Sequence, residues 1–434
     1  METEKDRRRV RHRPACYISP PMHLRASPST VVLTLAALLC ACAPKPQEIL
    51  GHWRAVAQLP GGELPFFIDI GSDGHGAYVA QIENGRERVP VEQVRWESGK
   101  LLLDFPAFDN RIECTLRDDV LEGTLTLVKA GGKEQVIPLR AQLGAGWRFF
   151  PPGGGAAIDV SGRWSVTFRD DEGHETPAVG EFRQAGDELT GTFLTPTGDH
   201  RYLAGQVRDR TLHLSTFDGS HAFLYRADLG ADDTLAGDYW SGMAWHETWT
   251  AKRDAAAQLP DLENLTYLKE GYDRFTFAFP DLDGTVVSLD DERFRGKVVV
   301  VVLGGSWCPN CHDEAAFLAP LYRAQAKRGF EIVELMYEHF GDFPTAVRQT
   351  QRMREKFGIQ YTTLIAGISD KDEASKTLPM LNAVLAFPTT IFIDRRGNVR
   401  SIHTGFAGPG TGEHYEALTR DFNALIETLL GESA

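Results

Sequence analysis

Two cysteines, Cys308 and Cys311, stand two residues apart behind a run of valines, in the stretch VVVVVLGGSWCPNCHDE. Cysteines at this spacing can form a redox-active dithiol, supply half of a metal site or close a structural disulfide. Pro309 follows the first cysteine, and proline is common at the first position of a helix. Cys308 is therefore expected at a helix N-terminus, where unpaired backbone N–H groups and the helix dipole stabilise a thiolate and favour this residue as the nucleophile.

The second cysteine lies one helical turn further along the chain, close enough to attack a mixed disulfide formed at Cys308. A zinc site would need two more ligands, yet the sequence has no second Cys-x-x-Cys pair, and His312 adjoins Cys311 instead of standing at a ligand spacing. A structural disulfide across two residues would restrain very little chain. The spacing therefore favours a redox-active pair that uses no metal and no separate cofactor.

The elements around the cysteine pair alternate between strands and helices. The valine run is typical of a buried, central parallel strand. Helices are expected over about residues 309–328, 344–357 and 412–430, and in the second of them residues of one face recur at helical spacing, with Asp342 as its cap and Gly358 at its end. This alternation predicts an α/β domain over residues 275–434.

The preceding region, residues 51–252, has the pattern of an all-β fold, with short alternating segments separated by turn pairs such as NG, GG and DG. It contains an internal repeat: GHWRAV is followed 111 residues later by GRWSVTF, and LEGTLTL resembles LAGDYW. The two copies, residues 51–143 and 159–252, flank the joint GAGWRFFPPGGG. Each has the length of a small antiparallel barrel or sandwich, and the pattern leaves open whether they form two units or one larger barrel.

Three tryptophans of the second copy, Trp240, Trp245 and Trp249, stand close together. They can line a ligand-binding lumen or pack in a core, and the core is the more common position for such residues. Cys114 lies on the apolar face of an alternating segment and is expected to be a buried, inert thiol. Residues 253–274 are interpreted as a connector to the α/β domain.

The N-terminal region has the pattern of an export signal. The run VVLTLAALLCAC is too short to span a bilayer but has the length of a signal-peptide core, with Met22 as the expected start. Its end, LCAC, resembles a bacterial lipobox and predicts lipidation of Cys42; a plain signal peptide cut near Ala41 is the alternative. Residues 1–41 are then an extension plus signal peptide, and residues 42–50 a tether. The chain is expected in the periplasm or at the cell surface, attached to the membrane by the lipid, where thiols can be oxidised.

The overall composition limits the function classes. A chain of 434 residues is expected to form two or three domains. Charged residues make up 24% and hydrophobic residues 42%, which is typical of folded domains. The net charge of −14 argues against a nucleic-acid partner, because phosphate-binding proteins need clustered Lys and Arg.

The cysteine stretch resembles the active site of the TlpA/ResA-like thiol-disulfide oxidoreductases, a thioredoxin-fold group of the redoxin superfamily. That group carries W-C-x-x-C followed by x-x-E, where this chain has Trp307, the cysteine pair and Glu314. FAFPDLDGTVVSLDDERFRGKVVVV resembles the group's N-terminal hairpin, and LAFPTTIFIDRRGNV resembles its cis-proline strand, with Pro388 facing the dithiol. The resemblance covers about residues 275–430 and implies a thioredoxin-like fold.

The resemblance also implies a reaction, in which Cys308 attacks a substrate disulfide and the second cysteine resolves the mixed disulfide. Substrate would bind at Trp307, Pro309, Phe387 and Pro388, with backbone near the cis-proline holding it like an added strand. The implied partners are protein disulfide or thiol substrates and an upstream thiol redox partner.

Two positions depart from the family pattern. The family usually has proline directly before the second cysteine, whereas this chain has Pro309 one place earlier, followed by Asn310. Val302 stands where thioredoxin has a buried aspartate, so another group must accept the proton of Cys311. Glu314 is the candidate; the alternative is a solvated carboxylate stabilised by the helix dipole.

Two rival functions remain open at this point. A peroxiredoxin-like thiol peroxidase shares the fold, but its P-x-x-x-T-x-x-C motif is absent before Cys308, where LGGSW stands. A non-enzymatic binding lipoprotein would instead use the β repeats. The stretch MYEHFGDF places Glu338 and His339 after a strand end, where active-site loops often lie, although a lone histidine is more often structural or solvated.

Overall fold

The computed structural model describes residues 49–260 and 265–433. The predicted signal peptide and the lipidation site at Cys42 therefore lie outside the described residues. Within the described part of the chain, no helix combines the length and the apolar character needed to cross a membrane.

The first sheet is an antiparallel half-barrel of nine strands, in the order β4-β3-β2-β1-β9-β8-β7-β6-β5. The first and last of these strands in chain order, β1 and β9, pair with each other in the middle of the sheet, and β1 also pairs with β2. The strands are β1 (Gly51–Leu59), β2 (Gly62–Ser72), β3 (Tyr78–Asn84), β4 (Glu87–Pro90), β5 (Gln93–Glu97), β6 (Lys100–Phe105), β7 (Asn110–Arg117), β8 (Val120–Lys129) and β9 (Lys133–Leu143).

The second sheet closes into a barrel of eight strands, because β11 pairs with both β10 and β12. A ninth, two-residue strand, β13, pairs with β12 at the rim. The strands are β10 (Gly162–Asp170), β11 (Glu175–Ala185), β12 (Glu188–Thr195), β13 (Gly198–Asp199), β14 (Leu203–Arg208), β15 (Thr211–Phe217), β16 (Ala222–Leu229), β17 (Thr234–Ser241) and β18 (Trp245–Arg253).

The two sequence segments form two separate sheets and not one larger barrel, although the sheets share part of one core. Phe217, Ala222 and Leu224 of the barrel pack into the core of the first sheet. The two sheets also begin alike: the indole N–H of Trp53 donates to Ile49 O (2.8 Å), as that of Trp164 does to Val160 O (2.9 Å). The sequence repeat itself remains a prediction.

The three clustered tryptophans have three different environments. Trp249 is buried in the barrel among aromatic side chains. Trp240 packs against the core of the first sheet, and Trp245 is 51% exposed. Packing in a core is thus correct for two of the three, and the aromatic filling around Trp249 leaves the lumen interpretation without support. Cys114 is buried as predicted, and burial raises the pKa of its thiol to about 12.

The C-terminal α/β domain has a five-stranded sheet in the order β23-β22-β21-β24-β25, preceded by a small hairpin. Its strands are β19 (Ala278–Pro280), β20 (Val286–Ser288), β21 (Val298–Gly304), β22 (Phe330–Glu338), β23 (Thr362–Ile368), β24 (Thr389–Ile393) and β25 (Val399–Thr404). Its helices are α1 (Pro309–Gln325), α2 (Phe343–Phe357), α3 (Lys371–Thr377) and α4 (Glu413–Gly431).

The valine strand β21 is central and fully buried, as predicted. It runs parallel to β22, as a parallel strand should, but antiparallel to its other neighbour, β24. Helix α2 begins where Asp342 accepts a hydrogen bond from the backbone N–H of Thr345, and it ends at Gly358. The sequence interpretation missed the short helix α3.

Candidate active site

The cysteine pair sits at the junction of β21 and α1. Cys308 caps the helix: its Sγ accepts a hydrogen bond from the backbone N–H of Cys311 (3.2 Å), and Pro309 occupies the first helical position. The turn before the pair is held by Glu338, which accepts hydrogen bonds from Ser306 N (3.1 Å) and Ser306 Oγ (2.7 Å). The capping bond directs an N–H donor at the Cys308 sulfur, as expected for a site that stabilises a thiolate.

The two thiols are both buried, with 4% of Cys308 and 1% of Cys311 exposed. The Cys308 thiol donates to Phe387 O (3.4 Å), next to the Phe387–Pro388 peptide bond, which is cis as the resemblance implies. Burial raises the pKa of the Cys311 thiol well above its usual value, and the hydrogen bond with Cys308 adds to the effect. Cys311 is therefore a neutral thiol that needs a proton acceptor before it can attack.

Glu314 lies one helical turn beyond Cys311 and is 1% exposed, so the alternative of a solvated carboxylate is wrong. Its Oε1 accepts a hydrogen bond from Thr390 Oγ1, while Oε2 has no hydrogen-bond partner among the described residues. Burial raises the pKa of Glu314 to about 8, and the negative charge of Glu334 contributes. A carboxyl group with such a pKa can exchange a proton with a thiol near neutral pH.

Glu334 is a second buried carboxyl group, which the sequence interpretation missed. It is in register with Val302 on β21, and Val302 is in register with Thr390 on β24. Paired residues of neighbouring strands point to the same face of a sheet, so Glu334 and Thr390 flank Val302 on the side of α1. A Cβ placed on Gly304 would lie 3.4 Å from Glu334 Oε1 and 3.6 Å from Cys311 Sγ.

The oxygen of Glu334 and the sulfur of Cys311 are thus within about 7 Å of each other, across the gap at Gly304. Burial raises the pKa of Glu334 to about 7, and its Oε2 also lacks a hydrogen-bond partner among the described residues. One sequence signal could have revealed this residue. In FEIVELMYE, strand alternation places Glu334, the middle one of three glutamates, on the same face as the apolar residues Ile332 and Met336.

Glu338 and His339 both lie beside the cysteine turn. Burial raises the pKa of Glu338 to about 7, and its carboxylate also accepts from Thr350 Oγ1 (3.2 Å). The imidazole of His339 stacks on Trp307 with ring centroids 4.6 Å apart, and burial lowers its pKa to about 3. The contacts of these two residues support the turn and the tryptophan rather than a thiol.

The four residues predicted to bind substrate do gather around Cys308. Trp307 donates its indole N–H to Tyr337 O (2.8 Å) and meets the ring of Phe387 edge-on at 5.8 Å. Pro309 and Pro388 are both buried. The structure therefore brings the predicted residues together, but it leaves little of them open to solvent.

The C-terminal part of the chain is similar in sequence to known redox proteins. Residues 256–418 match the family model described as Redoxin. The thiol-disulfide oxidoreductase ResA of Geobacillus kaustophilus (strain HTA426) is 32% identical over 129 residues, which is 30% of this chain and 66% of that protein. ResA of Bacillus subtilis (strain 168) is 26% identical over 138 residues, 32% of this chain and 69% of that protein. The chain thus spans about two thirds of the length of these relatives.

Among solved structures, a putative thiol:disulfide interchange protein DsbE from Chlorobium tepidum matches with 22% identity and a TM-score of 0.30, covering 38% of this chain and 100% of that one. The dithiol, the redoxin match and the ResA relatives together support an oxidoreductase with a thioredoxin-like domain. The β region, residues 49–253, lies outside the redoxin match.

Proposed function

We propose that this protein is an exported thiol-disulfide oxidoreductase, tethered to the membrane through a lipidated Cys42, that reduces or exchanges disulfides of protein substrates. The observation that carries the proposal is the position of the Cys308 sulfur. It accepts the N–H of Cys311 at a helix start and lies against the carbonyl of Phe387 beside Pro388. A nucleophilic thiol, a second thiol one turn away and a substrate-binding edge thus meet at one point.

The proposed reaction has two exchange steps. The Cys308 thiolate attacks one sulfur of a substrate disulfide, whose S–S bond breaks; the other substrate sulfur leaves as a thiolate and takes a proton from solvent. Cys311 then loses its proton, and its thiolate attacks Cys308 Sγ. The Cys308–Cys311 disulfide forms as the bond between Cys308 Sγ and the substrate sulfur breaks, and that second substrate sulfur leaves as a thiolate, which takes a proton from solvent. The substrate gains two electrons and two protons, and an upstream thiol partner restores the dithiol by the reverse exchange.

The proton of Cys311 passes to one of the two buried carboxyl groups. Glu314 is the acceptor, since it follows Cys311 by one turn and its Oε2 is free of other partners among the described residues. Glu334 is a positioning residue, because its charge raises the affinity of Glu314 for a proton. The pair thereby replaces the aspartate that thioredoxin has at the position of Val302.

The reduction potential of the Cys308–Cys311 couple tests the proposal and gives the direction of electron flow. The full chain is equilibrated with mixtures of reduced and oxidised glutathione, and free thiols are counted by alkylation and mass spectrometry. One two-electron couple confined to these two cysteines is expected. Two thiols that oxidise independently, or faster turnover with hydrogen peroxide than with a disulfide, would contradict the proposal and favour a thiol peroxidase.

Export and tethering need a separate test. The expected product is a membrane-extracted chain whose first residue is Cys42 carrying a diacylglyceryl group, detected by mass spectrometry of the N-terminal peptide. A Cys42→Ala variant is expected to lose the modification. An unmodified mature N-terminus near Ala41 would mean a plain signal peptide and no lipid anchor.

A further inference from the structure

The β12–β13 hairpin of the barrel packs against the cysteine turn. Asp199 Oδ2 accepts hydrogen bonds from Asn310 Nδ2 (3.2 Å), between the two cysteines, and from Gly408 N (2.6 Å). The backbones are in direct contact: a Cβ on Gly405 would lie 2.8 Å from the carbonyl carbon of Thr197. The hairpin therefore occupies the edge where Asn310 and the loop after β25 would otherwise face a substrate.

Arg201 fixes this hairpin to the dithiol helix itself. Its guanidinium forms ion pairs with Glu87 of the first sheet (3.3 Å), with Asp218 of the barrel (3.2 Å) and with Asp313 of α1. Arg201 is 8% exposed. Separating a buried charge from its partners is costly, because it leaves that charge without compensation. Both sheets are thus tied to α1 through one side chain.

Further contacts surround the cysteine turn from the other sides. Ser220 Oγ donates to Trp307 O (3.1 Å), and the ring of Phe108 stacks on His312 at 4.6 Å. Gly131 N donates to the carbonyl of His339 (2.7 Å). These contacts come from turns of both sheets. Together with the contacts of Asp199 and Arg201 they surround the cysteine turn, in which Cys308 is 4% exposed.

Helix α2 carries an additional set of contacts with the first sheet. Asp109 accepts from Gln349 Nε2 (2.7 Å) and pairs with Arg352, and Glu92 pairs with Lys356 (2.7 Å). These contacts lie on α2 and not on the helix that carries the cysteines. They therefore hold the β region in place independently of the hairpin. The arrangement is that of a fixed wall, with many small contacts, rather than of a hinged lid.

We propose that residues 197–201 and 218–220 form a fixed wall beside Cys308 that determines the substrate class: an extended polypeptide segment carrying the disulfide enters, and a disulfide on a folded protein surface is excluded. This inference rests on the proposed function. Pro388 is buried and Trp307 is only partly exposed, so only a narrow, flexible segment, whose backbone can bind like an added strand, has room to bring a disulfide to Cys308. A folded partner needs a broad surface around the nucleophile, which the wall already covers.

The test compares three disulfides with the full-length protein. They are hydroxyethyl disulfide, an unstructured peptide bearing a glutathione mixed disulfide, and insulin as the folded substrate. Wild type is expected to reduce the peptide with a kcat/KM about 100-fold above that for insulin, a ratio equal to about 2.7 kcal/mol. Equal values for peptide and insulin, within about threefold, would overturn the inference while leaving the proposed function intact. Reduction of none of the three would instead reject the proposed function.

Asp199 provides the variant. Asp199→Ala removes the bonds to Asn310 and Gly408, so kcat/KM for insulin is expected to rise about tenfold, with hydroxyethyl disulfide unchanged within about twofold. Asp199→Asn keeps one acceptor oxygen and is expected to lie between. Asp232→Ala is the matched control, because its turn lies at the opposite end of β16 from Ser220. A rise for all three disulfides, or no rise for insulin in a folded Asp199→Ala protein, would contradict the wall.

Discussion

The α/β domain and the β region contribute to the site in different ways. The α/β domain supplies every reacting group, since Cys308, Cys311 and Glu314 lie within one helix and its cap. The β region supplies contacts from turns, such as those of Asp199 and Ser220, and none of its atoms takes part in the exchange. The difference teaches that separate parts of the chain perform the thiol exchange and control which substrates reach Cys308. Variants in the first should change the rate for every substrate, and variants in the second should change which substrates react.

The largest expected effect concerns the core that the two sheets share. Phe217 is fully buried and packs with Phe66 of the first sheet at 4.9 Å. Phe217→Ala is expected to destabilise the β region by about 3–5 kcal/mol, because a large aromatic side chain leaves a cavity. Hydrogen exchange should accelerate at amides of β1–β9 more than at those of β21–β25. Equal acceleration in both would show that the two regions do not differ in stability as separate units.

Removing the proton acceptor should slow the resolution of the mixed disulfide without changing which substrates reach Cys308. Glu314→Gln is expected to leave the first attack by Cys308 intact and to slow resolution by Cys311 about 10- to 1000-fold, since positioned acid–base groups contribute about 10²–10⁴. The decay of the mixed disulfide is followed against pH, for the peptide and for hydroxyethyl disulfide. Overlapping curves for wild type and variant would mean that another group takes the proton.

The buried carboxyl groups also make stability depend on pH. Burial raises the pKa of Glu314 to about 8 and that of Glu334 to about 7, above their usual values. The folded state then binds more protons than the unfolded state, so stability is highest below about pH 4.5 for these groups and is lost as the pH rises through 7 to 8. The two shifts together correspond to a loss of at most about 6 kcal/mol between pH 5 and pH 8, measured by urea unfolding.

The double variant Glu314→Gln/Glu334→Gln should flatten this dependence, because neither side chain can then titrate. Glu338, whose pKa burial raises to about 7, remains in that variant and leaves a smaller slope. A double variant that loses as much stability as wild type over the same range would show that other groups cause the dependence.

A smaller effect is expected at Glu334 alone. Glu334→Gln removes the negative charge that favours protonation of Glu314, so the acidic limb of the pH–rate curve for resolution should move to lower pH. The maximal rate should fall about three- to tenfold, since a weaker base accepts the proton of Cys311 less readily. Glu331→Gln on the same strand is the control, because Glu331 pairs with Lys297 (2.6 Å) away from the thiols. Equal shifts of the pH–rate curve in Glu334→Gln and Glu331→Gln would show that Glu334 has no specific effect on Glu314.

The sequence predicted the parts of the site that are local. Cys308, Pro309 and Glu314 follow one another within one turn-and-helix pattern, and the position of Pro388 followed from a family motif. Glu334 was missed because its role depends on being in register with Val302 across two strands, which no spacing along the chain reveals. Strand alternation alone would have marked it as a polar residue on an apolar face.

The β region shows the same limit more strongly. Alternation and turn pairs predicted its strands, because both are local signals. Whether a sheet closes depends on the pairing of β11 with β12 and on which core the side chains of β15 and β16 fill. The contact of Asp199 with Asn310 joins residues 111 positions apart. Nothing in the hairpin sequence indicates that its partner is the cysteine turn.

The most direct measurement of the central claim is trapping of the mixed disulfide. The claim is that Cys308 attacks and Cys311 resolves, which follows from the capping bond at the helix start and from the raised pKa of the buried Cys311 thiol. Cys311→Ser and Cys308→Ser proteins are incubated with the disulfide peptide, and covalent adducts are quantified by non-reducing electrophoresis and mass spectrometry. Cys311→Ser is expected to accumulate an adduct at Cys308, and Cys308→Ser to accumulate none. Equal trapping by both variants, or an adduct at Cys311 alone, would contradict the assignment.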